Sequence, residues 1–218
     1  MKNKRIPQFA WSLYDFANTI FSMNVVSLYF ALWVTVDHGG KDIHYSLVYF
    51  ASMLATLVLA PFLGRAADLK NRRLLFLFAT TLLCVAATAL IGVVNRLSWG
   101  FAFFFAANLG FQLGLVFYDS LLPSIARKEE YGKVSGFGVA LGYAGSIAGI
   151  ALVSPFVSAG GAVMRERAFV PTAVLFFLFA LPCFFFVREK KETAAGAGPL
   201  SFGEIFRAVR RYPGVGRY

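Results

Sequence analysis

Two sets of polar side chains fall at helical spacing inside long apolar runs of this chain. Trp11, Asp15, Asn18, Ser22 and Tyr29 are separated by 4, 3, 4 and 7 residues, which lines them up along one side of an α-helix. Asn108, Gln112 and Asp119, separated by 4 and 7, make a second such row. Amides, hydroxyls and carboxyls placed this way can hydrogen-bond a small polar solute reversibly, and a carboxyl among them can take up and release a proton. Covalent chemistry is not indicated: no nucleophile, base and orienting group share a face, and no metal-ligand cluster appears, so neither an enzyme, a metal nor a cofactor is expected.

The elements that carry these rows are membrane spans. Hydrophobic residues make up 58% of the chain and charged residues only 15%, far from the balance of a soluble domain. Apolar runs at 9–35, 46–63, 74–94, 99–123, 134–157 and 169–187 are each long enough to cross a hydrocarbon core of about 30 Å as helices. Helices follow because lipid offers the backbone no hydrogen-bond partner, and the alternation of a closed barrel is missing. The basic start is followed by a run too long, polar and aromatic for a cleaved signal sequence. The expected fold is therefore all-α and polytopic, with six transmembrane helices. The net charge of +10 is explained by basic loops, so nucleic acid is not an expected partner. Cys84 and Cys183 read as buried thiols, and His38 and His44 as solvated loop histidines.

Charge asymmetry sets an expected orientation. With the start inside, 17 of the 21 Lys and Arg fall on inner segments, which puts both termini in the cytoplasm. Trp33 and Trp99 then mark the outer interface and Trp11 the inner one. Asp15 and Asp119 lie toward the cytoplasmic side, with Ser22, Asn108 and Gln112 near mid-membrane, so spans one and four read as the walls of a polar cavity rather than merely as helices glued by amides. In span five, Gly138, Gly142, Gly145 and Gly149 give a small-residue face for close helix contact, while GFGVALG follows no strand and is discarded as a dinucleotide loop. Residues 1–188 form the bundle. Residues 189–218 read as a cytoplasmic linker with a short basic amphipathic helix, in which Ser201 and Glu204 have capping-box spacing.

Between spans two and three lies GRAADLKNRR, 64–73, a charged segment that reads as a tight membrane turn, with Pro61 closing the span before it. It resembles the signature loop of the major facilitator superfamily, with Gly64, Ala67, Asp68, Arg72 and Arg73 matching and Leu69 and Asn71 departing from a basic residue and a glycine. WSLYDFANTIFS at 11–22 and FYDSLLPSIARKEEYGKVSGFGVALGY at 117–143 resemble the vacuole-effluxer-like branch of that superfamily, typified by vacuolar amino-acid effluxers and many bacterial relatives. The resemblance covers the whole chain but only the first half of the family fold, the N-terminal six-helix bundle. It implies that spans one and four line the central cavity. It also implies that Asp68 meets a helix N-terminus of a second bundle and, with Gly64 and in a charge network with Arg72, Arg73 and Asp119 near the cytoplasmic end of span four, holds the cytoplasmic side shut. Asp68 thus has no expected partner within this chain, and a missing C-terminal half or a second copy is the expected partner of the bundle.

The expected activity is secondary transport of a small polar solute, an amino acid being the candidate, coupled to a proton or another ion, in a multi-pass protein of a bacterial cytoplasmic membrane. Asp15, Asn18, Ser22, Asn108 and Gln112 are the expected solute contacts, and Asp15 or Asp119 the proton carrier. Two alternatives stay open: an exporter of amphipathic drugs, its pocket lined from among the 37 Phe, Tyr and Trp, although most of the Phe sit in lipid-facing spans such as three and six, and a non-transporting membrane scaffold or truncated gene product.

Overall fold

The computed structural model describes residues 5–158, 161 and 163–190. Among them there are six helices long and apolar enough to cross a membrane: α1 (Arg5–Asp37), α2 (Asp42–Lys70), α3 (Arg73–Ile91), α4 (Leu97–Ile125), α5 (Lys128–Val157) and α6 (Arg165–Phe186). The fold is all-helical and corresponds to an integral, multi-pass membrane bundle. α1 packs against α5 and α6, α6 against α3, α3 against α4, and α4 against α2. α2 sits at the edge, with only Ser52 and Ala67 fully buried along its 29 residues.

The α1–α5 contact is set by glycine. A Cβ at Gly145 would stand 2.5 Å from the Phe16 carbonyl oxygen, and one at Gly142 2.8 Å from Thr19 Oγ1. All four glycines of the expected small-residue face are buried against α1. Without side chains there, the two backbones approach closely enough for van der Waals contact and backbone-directed hydrogen bonds to replace a hydrophobic driving force that lipid does not supply. Asn24, fully buried, uses the approach to donate from Nδ2 to the Gly149 carbonyl at 3.1 Å and to Thr172 Oγ1 at 3.3 Å, tying α1 to both α5 and α6. On the other side of the bundle, Gly110 lets α4 reach the α3 backbone at Thr80 and Cys84.

Several sequence expectations are corrected. The segment 64–73 is not a loop: α2 runs through Pro61 to Lys70, and the turn is Asn71 and Arg72 alone. Pro61 costs one backbone hydrogen bond but does not stop a helix whose remaining ladder is shielded from water. Asn71 has φ 47° and ψ 49°, and Arg72 N donates to the Ala67 carbonyl at 3.0 Å while Asn71 N donates to Asp68 at 3.1 Å. A left-handed residue ends the helix here, and Asn takes this conformation at least cost after Gly, which explains the departure from the family's glycine.

α1 departs from a regular helix. From Ser22 to Tyr29, and again from Trp33 to Asp37, its ladder widens to i→i+5, so that Phe30 N reaches the Val25 carbonyl. Seven residues from Ser22 to Tyr29 therefore no longer complete two turns, and Tyr29 rotates off the row that begins at Trp11. Trp11 and Trp33 are buried, at 2% and 1% exposure, rather than placed in an interfacial belt, while Trp99 is exposed. Their ring areas find more partners inside: Trp33 stacks near Phe30, and Trp11 stacks on Tyr118. His38 is structural, its ring nitrogens facing the Trp33 and Asn95 carbonyls at 3.1 and 3.2 Å, and His44 Nδ1 accepts from Lys41 N. Beside it Asp37 and Arg165 form an ion pair. Cys84 and Cys183 are buried free thiols, as expected. Residues 191–218, with Ser201, Glu204 and the expected amphipathic helix, lie outside the described residues.

Candidate functional site

α1 and α4 meet through an aromatic contact near the ends that carry Arg5 and Ile125. Trp11 lies flat on Tyr118, with ring centroids 4.2 Å apart and an 8° interplanar angle, and its indole Nε1 donates to the Tyr118 carbonyl at 3.0 Å. Tyr14 also stacks against Tyr118, with ring centroids 5.1 Å apart, and shares a 2.7 Å hydrogen bond with Thr81. This packing fixes the first two turns of α1, and hence the direction of Asp15 one turn beyond Trp11.

Asp15 is half-buried, and its carboxylate has neither a hydrogen-bond nor an ion-pair partner among the described residues. Its carboxylate lies over the glycine face of α5: a Cβ at Gly138 would be 3.2 Å from Asp15 Oδ2 and 3.5 Å from Tyr118 Oη. Gly138 therefore leaves room for a carboxylate and a phenol, in addition to bringing two helices together. The sequence rows place Asp15 against α4; the structure adds α5 as its third wall. Tyr118 is a member of this group that spacing alone did not single out, although it stands next to Asp119 in the FYDS motif. Its hydroxyl is buried without a partner, an arrangement that costs about 1–3 kcal/mol when nothing satisfies it.

The remaining positions separate by depth and exposure. Asn18, one turn beyond Asp15, is buried with Nδ2 unpartnered. Ser22 is half-buried where the α1 ladder begins to widen. Asn108 is fully buried; its Nδ2 donates to Ser52 Oγ on α2 at 2.7 Å, and its Oδ1 has no partner. Gln112 is half-buried and Asp119 exposed, so the α4 row runs from the bundle interior outward. Asp15 and Asp119 are near enough for their charges to interact. The two helices thus carry an unpartnered donor (Asn18), an unpartnered acceptor (Asn108), a hydroxyl (Tyr118) and a carboxylate (Asp15), the kinds of group that bind a solute with both donors and acceptors, spread over depth: the ten positions from Asn108 to Tyr118 span about 15 Å of α4.

The charged turn forms a separate cluster. Arg73 Nε donates to Asp68 Oδ1 at 2.6 Å, giving Asp68 a partner inside this chain, contrary to the expectation from sequence. Arg73 Nη1 also reaches the Ser120 carbonyl on α4 at 3.4 Å. An ion pair five residues apart became possible because the left-handed Asn71 folds the start of α3 back over the end of α2. A Cβ at Gly64 would meet open space, and the Arg72 side chain makes no capping hydrogen bond to α3.

Glu189, which sequence reasoning missed, completes this cluster. Its carboxylate accepts from the backbone N–H of Arg73 at 2.9 Å and of Leu74, the first residues of α3. A carboxylate at a helix N-terminus satisfies orphan donors and favours the helix dipole. Lys190 beside it contacts Ser124 Oγ and the Pro123 carbonyl, so the chain after α6 is anchored across α3 and α4. The only signal in the sequence was an acidic residue among basic ones, REKKE, which gives no clue to a partner over a hundred positions away. Glu189→Ala is expected to lower stability by about 0.5–2 kcal/mol, as loss of a helix cap does. Thermal unfolding in detergent measures this, and a melting point unchanged from wild type would mean the cap contributes nothing.

Residues 15–215 match the family model described as Major Facilitator Superfamily. Among curated proteins, the chain is 32% identical over 207 residues to a protein of Aquifex aeolicus described as uncharacterized, covering 93% of this chain and 50% of that one. It is 27% identical over 225 residues to the uncharacterized MFS-type transporter YxiO of Bacillus subtilis, covering 93% and 53%. It is 31% identical over 214 residues to the multidrug resistance protein MdtG of Dickeya zeae, covering 95% and 50%. The chain spans about half the length of the curated relatives it matches. With six spans in one bundle and a family match over nearly its whole length, the chain belongs to the major facilitator superfamily.

Proposed function

We propose that this chain is the N-terminal six-helix bundle of a secondary transporter for a small polar solute, working by alternating access together with a second bundle. The observation that carries the reading is the set of buried polar atoms on α1 and α4 without a partner among the described residues, Asn18 Nδ2, Asn108 Oδ1 and Tyr118 Oη, together with the Asp15 carboxylate, which has no cation next to it among the same residues. Polar atoms in a membrane interior are costly unless matched, and a solute rich in donors and acceptors matches them. An amino acid fits this chemistry, its ammonium toward Asp15 and its carboxylate toward Asn18. The motifs at 11–22 and 117–143 support the effluxer-like branch. In this reading both termini are cytoplasmic, and Gly64, Asp68, Arg72 and Arg73 form the cytoplasmic gate, with Asp68 exchanging Arg73 for a helix N-terminus of the second bundle as the transporter cycles.

The test is uptake by proteoliposomes containing the complete gene product, with a panel of amino acids and a panel of lipophilic cations. Transport of one or a few amino acids, reduced at least about tenfold by Asn18→Ala and Asn108→Ala as expected for losing a buried hydrogen bond, supports the reading. Transport of lipophilic cations alone would support the drug-export reading instead, the activity in the printed name of the Dickeya relative. No transport of either, with normal folding, would leave the scaffold reading.

A further inference from the structure

A cavity of about 410 Å³ opens between the starts of α1 and α5, away from the groups above. Arg5, Ser12, Glu130 and Lys133 line its polar part, and the exposed rings of Phe9 and Phe137, 6.4 Å apart, form its apolar lip. On α1, residues 5, 9 and 12 fall on a side of the helix rotated about 100–160° from Trp11 at 100° per residue, so the cavity is separate from the Trp11–Tyr118 contact. At its floor Ser12 is fully buried and its hydroxyl has no partner.

We propose that this cavity binds the headgroup of a membrane glycerophospholipid carrying an amine, its phosphodiester held by Arg5, Lys133 and the Ser12 hydroxyl. Four features support this. The helix α5 begins here, so its N-terminus presents its positive end on this side of the cavity. Two cations flank the same space, and guanidinium and ammonium donors to phosphate form the stronger, charge-assisted class of hydrogen bond. Glu130 uses Oε2 to accept from Arg127 N at 3.0 Å, which leaves Oε1 for the amine of the headgroup. The two phenyl rings lie one helical turn further into their spans than Arg5 and Lys133, where acyl chains would pass. A soluble phosphate ester shares the phosphate chemistry but has nothing to cover Phe9 and Phe137.

The test uses the complete protein, purified and delipidated in detergent, with bound lipid read by native mass spectrometry. Phosphatidylethanolamine, phosphatidylglycerol and phosphatidylcholine are added in turn. Wild type is expected to retain phosphatidylethanolamine in preference to phosphatidylcholine. The double variant Arg5→Gln/Lys133→Gln is expected to retain at least about tenfold less of it, the loss of charge-assisted hydrogen bonds. Lys128→Gln, on the exposed turn just outside the cavity, should retain as much as wild type. Glu130→Gln should move the preference toward phosphatidylglycerol, a change in selectivity that a purely structural role would not produce. If the double variant fails to fold, Ser12→Ala must lower retention on its own. Equal retention by wild type and the double variant overturns the proposal, and so does release of the lipid by millimolar inorganic phosphate, which would mark a site for soluble phosphate esters.

Discussion

Gly145→Leu is expected to prevent α1 and α5 from packing and to abolish the folded protein, and Gly145→Ala to destabilise it by about 1–3 kcal/mol, the usual cost of overpacking. The atom in the way is the Phe16 carbonyl oxygen, 2.5 Å from the position a Cβ would take. It belongs to the helix backbone, so no rotamer change can move it aside; the helices must separate, and the Asn24 hydrogen bonds to Gly149 and Thr172 must stretch with them. Gly136→Ala is the control. It lies in the same helix but faces open space, and there Ala should be neutral or stabilising by about 1 kcal/mol through helix propensity. Monodispersity and melting temperature in detergent give the comparison. Equal melting of Gly145→Ala and Gly136→Ala would show that the close approach is not needed.

Asp15→Asn is expected to abolish solute accumulation driven by a proton gradient while leaving exchange of internal for external solute at a substantial fraction of wild type. The reasoning is geometric. The Asp15 carboxylate is half-buried between α1, α4 and the Gly138 notch of α5, with no cation beside it among the described residues, so its charge can be met by a proton or by a cationic group of the solute. Asn keeps the shape and the hydrogen-bonding capacity but cannot carry the proton. Exchange requires only binding and the conformational change, whereas uphill accumulation requires the proton as well. Asp119→Asn is the companion variant, since the two carboxylates are close enough to feel each other's charge and Asp119 is the more exposed. Intact pH-driven accumulation in both variants would end the proton-coupling assignment, and loss of exchange together with accumulation in Asp15→Asn would make Asp15 a binding residue.

The two halves of this picture differ in how they were encoded. The six spans, their approximate order and the glycine face of α5 could be read directly, because each depends on local composition: apolar length sets a span, and Gly at spacings of 4, 3 and 4 sets a close-contact face. Asp15, Asn18, Asn108 and Asp119 stood out for the same reason, as polar residues where lipid or protein interior was expected.

Which groups those residues face was decided by packing between distant parts of the chain. Regular helical spacing put Tyr29 in line with Trp11, but the widened ladder after Ser22 turned it away, and such widening leaves no mark in residue type. Asn108 looked like a solute contact by depth, yet one of its donors goes to Ser52, because α2 lies against that turn of α4. Asp68 seemed to need a partner from a second bundle until the left-handed turn at Asn71 brought Arg73 beside it. Glu189 is the extreme case, a carboxylate at the end of the sixth span that caps the third. Burial and spacing along one helix are properties of a segment and are written in it. The partner of a polar group is a property of the fold, fixed only when helices far apart in sequence choose their neighbours.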